Sequence, residues 1–133
     1  LGAFRDWVFL TSEPVTGGPA NLVRFDPAVV RHADVAASVD AVISKVGYGT
    51  YTSALLNGVP LIYLPRRGFA EYPALEQGLH AWGGGIAIAA QQFRALEWES
   101  ALQSALDIGR LPPVPNRGAA DAASAIMGAV GEN

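Results

Sequence analysis

The 133-residue sequence has no cysteine, two histidines (His32 and His80) and one methionine. Without thiols there are neither disulfide staples nor thiolate metal sites. A metal centre would have to be built from two imidazoles and carboxylates, and no cluster of such residues stands out, so no metal and no cofactor are expected. Charge is also scarce. Charged residues make up 16% of the chain, and nine Lys+Arg against twelve Asp+Glu give a net charge of −3. Nucleic-acid-binding domains carry a basic excess, so no nucleic-acid partner is expected. No apolar run approaches the ~20 residues of a membrane helix, because Gly or Pro interrupts each one. No signal-peptide pattern opens the chain, and Leu1-Gly2-Ala3-Phe4 reads as the interior of a longer protein. The expectation is a cytoplasmic domain whose N-terminal partner domain is not included.

Hydrophobic residues account for 50% of the sequence, enough for one domain with its own core. Trp7–Thr11, Asn21–Phe25, Asp40–Lys45, Val59–Leu64 and Ile86–Ala89 read as strands. Between and after them, Pro27–Ala37 suggests a short helix or irregular connection. Thr50–Asn57, Pro73–Trp82, Glu97–Ile108 and Gly118–Val130 suggest helices. Leu75, Leu79 and Trp82 share one face of the second of these; Trp98, Leu102, Ala105 and Leu106 share a face of the third. Gly58 and Gly83-Gly84-Gly85 stand where helices stop. Pro112-Pro113-Val114-Pro115 is a rigid extended connector. Apolar strands alternating with helices predict a single α/β domain over 1–133: a Rossmann-like parallel sheet with helices on both faces.

The stretch with chemical content is "KVGYGTYTSALLNGVPLIYLPRR", Lys45–Arg67. In open α/β sheets ligands bind beyond the carboxyl ends of the strands. Gly47-Tyr48-Gly49-Thr50 falls there, between a strand and a helix predicted to start near Thr50. Glycine permits close backbone approach and positive φ. The helix start offers free N–H groups and a partial positive charge, which suit a phosphate. Thr50 could cap the helix or donate to a phosphate oxygen. A bare G-x-G is equally often only a tight turn. It is neither a Walker loop nor a full G-x-G-x-x-G, since Thr52 stands at the third glycine position. Arg66 and Arg67 end the next strand and would face the same crevice if the strand order is sequential. They suit bidentate anion contacts; the alternative is solvated charge, or ion pairs with Glu71 or Glu76.

Asp40-Ala-Val-Ile-Ser-Lys, Gly47-Tyr-Gly-Thr, Ala54-Leu55 and Gly58-Val-Pro-Leu-Ile-Tyr-Leu-Pro65 together resemble the C-terminal half of GT-B-type glycosyltransferases. With Pro65-Arg-Arg-Gly-Phe-Ala-Glu71, the stretch is more similar still to the glycosyltransferase-like region that plant L-arabinokinases carry ahead of their kinase, and that bacteria carry alone. The resemblance covers about Leu22 to Leu106. It implies one half of a two-domain fold that binds a nucleotide-sugar such as a UDP-sugar. Gly47, Tyr48, Gly49 and Thr50 would hold the diphosphate. Phe25, Asp26 and Pro27 would lie near the nucleobase, and Arg66, Phe69 and Glu71 on the donor-sugar side. The implied reaction is displacement at the anomeric carbon, with the leaving diphosphate stabilised by the helix N-terminus and arginine. One position departs from the pattern: Ser53 stands where the family places a glutamate on the ribose hydroxyls. Acceptor site and catalytic base would come from the N-terminal domain. Asp34, Asp40, Glu71 and His80 are available here, but none can be named as the base.

Two alternatives stay open. A nucleotide-sugar 2-epimerase shares the architecture, and Arg66…Glu71-Tyr72-Pro73 loosely matches its pattern, although Tyr51-Thr52-Ser53 are neutral where that family is acidic. A non-catalytic binding or regulatory module that keeps the fold is favoured by Ser53.

Overall fold

The computed structural model describes residues 1–66 and 68–131. Strands are β1 (Phe9–Thr11), β2 (Leu22–Arg24), β3 (Val42–Lys45), β4 (Leu61–Leu64) and β5 (Gly85–Ala87). Helices are α1 (His32–Ser38), α2 (Tyr48–Asn57), α3 (Tyr72–Trp82), α4 (Ala90–Ala95), α5 (Glu99–Ile108) and α6 (Gly118–Gly131). All strand pairs are parallel, and the architecture is α/β and Rossmann-like. The hydrogen-bonded strands fall into two groups, β1-β2 and β3-β4-β5, rather than one continuous sheet.

β4 is the centre of the larger sheet. Its alternating side chains enter two different cores. Leu61 and Tyr63 join Val46, Ala54, Leu55, Tyr72, Leu75 and Leu79 beneath α2 and α3. Ile62 turns to the other face and meets Ile88, Trp98, Ala101, Leu102 and Ala105 of the α5 side. Two-faced burial explains why β4 is apolar at every position. α3 presents the predicted face: Leu75 and Leu79 are buried, with Trp82 packed at the margin. α5 buries Ala101 in place of the predicted Leu106, which is exposed.

Local chemistry sets the helix ends. Gly58 takes left-handed backbone (φ 68°) after α2, and a Cβ there would collide with the Leu111 carbonyl. Gly83 takes the same role after α3 (φ 89°). Beyond α5 the connector folds back over α2, where Leu111 N–H donates to Gly58 O and Val114 N–H to Leu55 O. Arg110 fastens two helix ends at once: its guanidinium donates to Asn57 O at the end of α2 (3.2 Å) and to Ala37 O (2.7 Å) and Val39 O (3.1 Å) at the end of α1.

α4 has no counterpart among the predicted helices, because six residues are too few to show a period. It is held by Gln92 accepting the Ala89 N–H and stopped by Leu96, which adopts left-handed backbone (φ 58°). At the other end of the chain, α6 forms over the predicted residues but lies entirely exposed through Ala129.

Candidate functional site

Lys45 and Leu64 are Cα partners, and each is the last residue of its strand. The chain therefore leaves β3 and β4 side by side, at the carboxyl edge of the sheet. The β3–α2 turn and the β4–α3 connection emerge together, as sequential strand order predicted.

The turn itself is tighter than expected. Val46 is fully buried, Gly47 is the N-cap of α2, and the helix begins at Tyr48 rather than near Thr50. Thr50 thus sits in the first turn, and no side chain caps the helix. Gly47 is extended (φ −142°), and neither Gly47 nor Gly49 has positive φ. Their backbone geometry is open to any residue, so the tight-turn explanation does not account for them. The fold leaves room at both: a Cβ built at either meets nothing within 4 Å. The first backbone bond of α2 is Tyr51 N–H to Gly47 O (2.9 Å). The N–H groups of Tyr48, Gly49 and Thr50 precede it and, among the described residues, have no protein acceptor. Three free donors, one of them on Gly49, thus follow Gly47 at the positive end of a ten-residue helix. Tyr48 stands beside them, 59% exposed.

Cations lie along the same edge. Lys45 is exposed immediately before the turn. It was not singled out from the sequence, though a lysine closing a strand before a glycine turn was a readable signal. Arg66 is half-buried and lies over the Phe69 ring, 4.3 Å from its centroid. Phe69 in turn packs on the core beneath α3. Neither expected ion pair uses Arg66: among the described residues the one salt bridge joins Arg31 and Asp34 (2.8 Å). Arg67 lies outside the described residues. Glu71 is exposed and lends its backbone to the start of α3.

The remaining predicted residues divide. Ser53 is half-buried in the second turn of α2, and its carbonyl accepts from Asn57. Phe25, Asp26 and Pro27 follow β2, in the other sheet. There the Asp26 carboxylate accepts the Ala28 N–H (2.9 Å), which ties it into its own turn, and the Phe25 ring packs edge-on against His32 (5.2 Å). α1 packs against α2 and joins this corner to the main unit. Of the acidic and imidazole groups weighed, none of which could be named as a base, Asp34 is paired with Arg31, whose hydrogen bond holds its carboxyl below the usual range. His80 is not simply solvated but bonds to Tyr63.

That bond belongs to a polar chain the sequence reading missed. Tyr63 of β4 donates to Glu76 Oε1 (3.1 Å), Tyr72 donates to the same oxygen, and His80 Nε2 lies 3.2 Å from the Tyr63 hydroxyl. Tyr72, Glu76 and His80 are four apart on α3, a spacing legible in the sequence; what it lacked was Tyr63 opposite. Burial, then the Glu76 carboxylate, raises both phenols: Tyr72 to about 12, and Tyr63 well above the usual range for tyrosine. Among the described residues no group of His, Asp and Glu could hold a metal ion, and no helix is long and apolar enough to cross a membrane.

Parallel strands between helices, with an open helix N-terminus and cations at their carboxyl edge, define an α/β domain with an anion-compatible edge. Over 75 residues the chain is 29% identical to an L-arabinokinase of Arabidopsis thaliana, a stretch that is 56% of this chain and 7% of that protein. No family model and no solved structure matches it. The chain is thus distantly similar to a short part of a protein named for a sugar.

Proposed function

We propose that this chain is the donor-binding half of a glycosyltransferase or glycosyltransferase-like protein, holding the diphosphate of a nucleotide-sugar such as a UDP-sugar. The observation that carries this reading is the open α2 N-terminus, where the free N–H groups of Tyr48, Gly49 and Thr50 follow Gly47, and where Gly47 and Gly49 leave room for a close approach. A diphosphate there accepts from Tyr48, Gly49 and Thr50 N–H and from the Thr50 hydroxyl. Lys45 and Arg66 add positive charge at the same edge. Arg66, Phe69 and Glu71 face the sugar, and the Phe25–Pro27 corner lies toward the base. In catalysis the domain's part is to stabilise charge on the departing diphosphate; the acceptor and the catalytic base belong to an N-terminal partner domain.

Ser53 supports a second reading, a module that binds without catalysing. A glutamate there could accept two ribose hydrogen bonds, each charge-assisted and worth about 1.5–3 kcal/mol. With serine, phosphate contacts carry most of the affinity.

Titration of the 15N-labelled chain with pyrophosphate, UDP and UDP-glucose tests both readings. The amide signals of Tyr48, Gly49 and Thr50 should shift with each ligand. Ser53→Glu should tighten UDP but leave pyrophosphate unchanged. Unshifted amides with all three ligands would refute the phosphate site, and micromolar UDP binding indifferent to Ser53→Glu would refute the role given to position 53.

A further inference from the structure

The β4–α3 connection carries Arg66 and Phe69, and it is fastened at its far end by one carboxylate. Tyr72, the first residue of α3, donates its backbone N–H to Phe69 O (3.0 Å) and its hydroxyl to Glu76 Oε1. Glu76 is gripped from the sheet side as well, by the Tyr63 hydroxyl at 3.1 Å. Tyr63 is fully buried and Tyr72 nearly so. Each phenol has a single proton, and both go to the same oxygen. With its proton committed to Glu76, the Tyr63 oxygen is left to accept from His80 Nε2 at 3.2 Å. The resulting order is His80 to Tyr63 to Glu76, with Tyr72 arriving from the other side. β4 and the first two turns of α3 are therefore joined through one acceptor. Phe69 packs on the core beneath α3, and Arg66 stacks on Phe69.

Nothing in the packing alone calls for a carboxylate here. An apolar pair at 63 and 72 would bury as well without the cost of desolvating polar groups. A carboxylate shared by two phenols instead fixes direction: it sets where Tyr72 stands and hence where the Phe69 carbonyl and ring lie.

We propose that Glu76 is a positioning residue, which through Tyr63 and Tyr72 holds Arg66 and Phe69 where they meet the sugar part of a nucleotide-sugar. This rests on the donor-binding reading above and adds to it the group that sets discrimination between a nucleotide-sugar and a bare nucleotide. Glu76 itself touches no ligand. Its amide replacement keeps an acceptor oxygen for the tyrosines, whereas alanine removes it.

The test is affinity for UDP and for UDP-glucose in the unsubstituted chain, Glu76→Gln and Glu76→Ala, each first confirmed as folded from its NMR spectrum. Glu76→Ala should weaken UDP-glucose about tenfold relative to UDP, the order expected for loss of a charge-assisted anchor. Glu76→Gln should restore most of that difference. UDP affinity and the shifts of the Gly47–Thr50 amides should be alike in all three. Equal losses for both ligands, unchanged affinity for both, or failure of glutamine to rescue would overturn the proposal while leaving the phosphate site standing. A Glu76→Ala chain that does not fold would overturn it too, since the residue would then be a general structural support. Absence of UDP shifts in the unsubstituted chain would overturn the phosphate site, and the positioning role with it.

Discussion

β4 and β1 are alike in sequence, short and apolar with a parallel partner, yet the fold treats them differently. β4 has helices on both faces, so Leu61, Ile62 and Tyr63 all vanish from solvent. β1 is covered on one face. Phe9 turns inward to meet Phe4 and Trp98, while Val8 and Leu10 remain 68% and 43% exposed, and Val23, the register partner of Leu10, is exposed with it. An unbroken apolar run thus reports a strand's preference for burial but not whether the chain supplies the cover. For β4 the cover comes from α2, α3 and α5, each within about 50 residues; over the outward face of β1 there is none among the described residues.

The sharpest way to break this comparison is to empty each side in turn. Leu79→Ala, beneath β4, should cost about 2–5 kcal/mol, the range for a large side chain removed from a sealed core. Leu10→Ala should cost less than about 1 kcal/mol, because its side chain already meets water. Urea denaturation monitored by tryptophan fluorescence checks both. Equal losses would mean that the outward face of β1 is covered in solution.

Alkali separates the two regions next, because Tyr63 and Tyr72 both belong to the β4 side. In the unfolded chain they release protons near pH 10. In the folded chain burial and then Glu76 hold those protons, to about pH 12 for Tyr72 and higher for Tyr63. The folded form therefore binds more protons across this window. The sign follows: the stability from these phenols is complete below pH 10 and drains away as pH rises through about 12. Unfolding midpoints measured from pH 9 to 12 should fall, and the fall should shrink in a Tyr72→Phe chain.

The smallest effect refines the comparison at the site. Gly49 lies in the first turn of α2 with ordinary backbone and free space around its Cα. Gly49→Ala should stabilise the chain by up to about 1 kcal/mol, as helix propensity dictates, and should weaken pyrophosphate binding. Stability that falls instead would show that the fold, rather than a ligand, needs this glycine.

Much of this was legible from local signals. Gly58 and Gly83 marked the ends of α2 and α3, the spacing of Leu75 and Leu79 gave the inner face of α3, and the β-branched, apolar run before Leu64 gave β4. The site was legible as a turn but not in detail. The sequence could not say that α2 begins at Tyr48, because Gly-Tyr-Gly has weak helix propensity and position, not composition, decides it. Nor could it pair Glu76 with Tyr63, which lies 13 residues away on the sheet. Long-range polar pairs leave no periodic trace. The break between β1-β2 and β3-β4-β5 was likewise invisible, since hydrogen bonding between strands depends on geometry far from either sequence.

Arg110 also bears on the far end of α2. By donating to Asn57 O it places a positive charge beside the last carbonyl of the helix, and the same guanidinium serves α1. α2 is about 15 Å long. Its negative pole is thus partly offset at the surface by a guanidinium, while its positive pole at Gly47 stays uncompensated. The two ends of α2 therefore differ: one already has a cation beside it, and the other keeps donors to offer to negative charge that arrives at the turn.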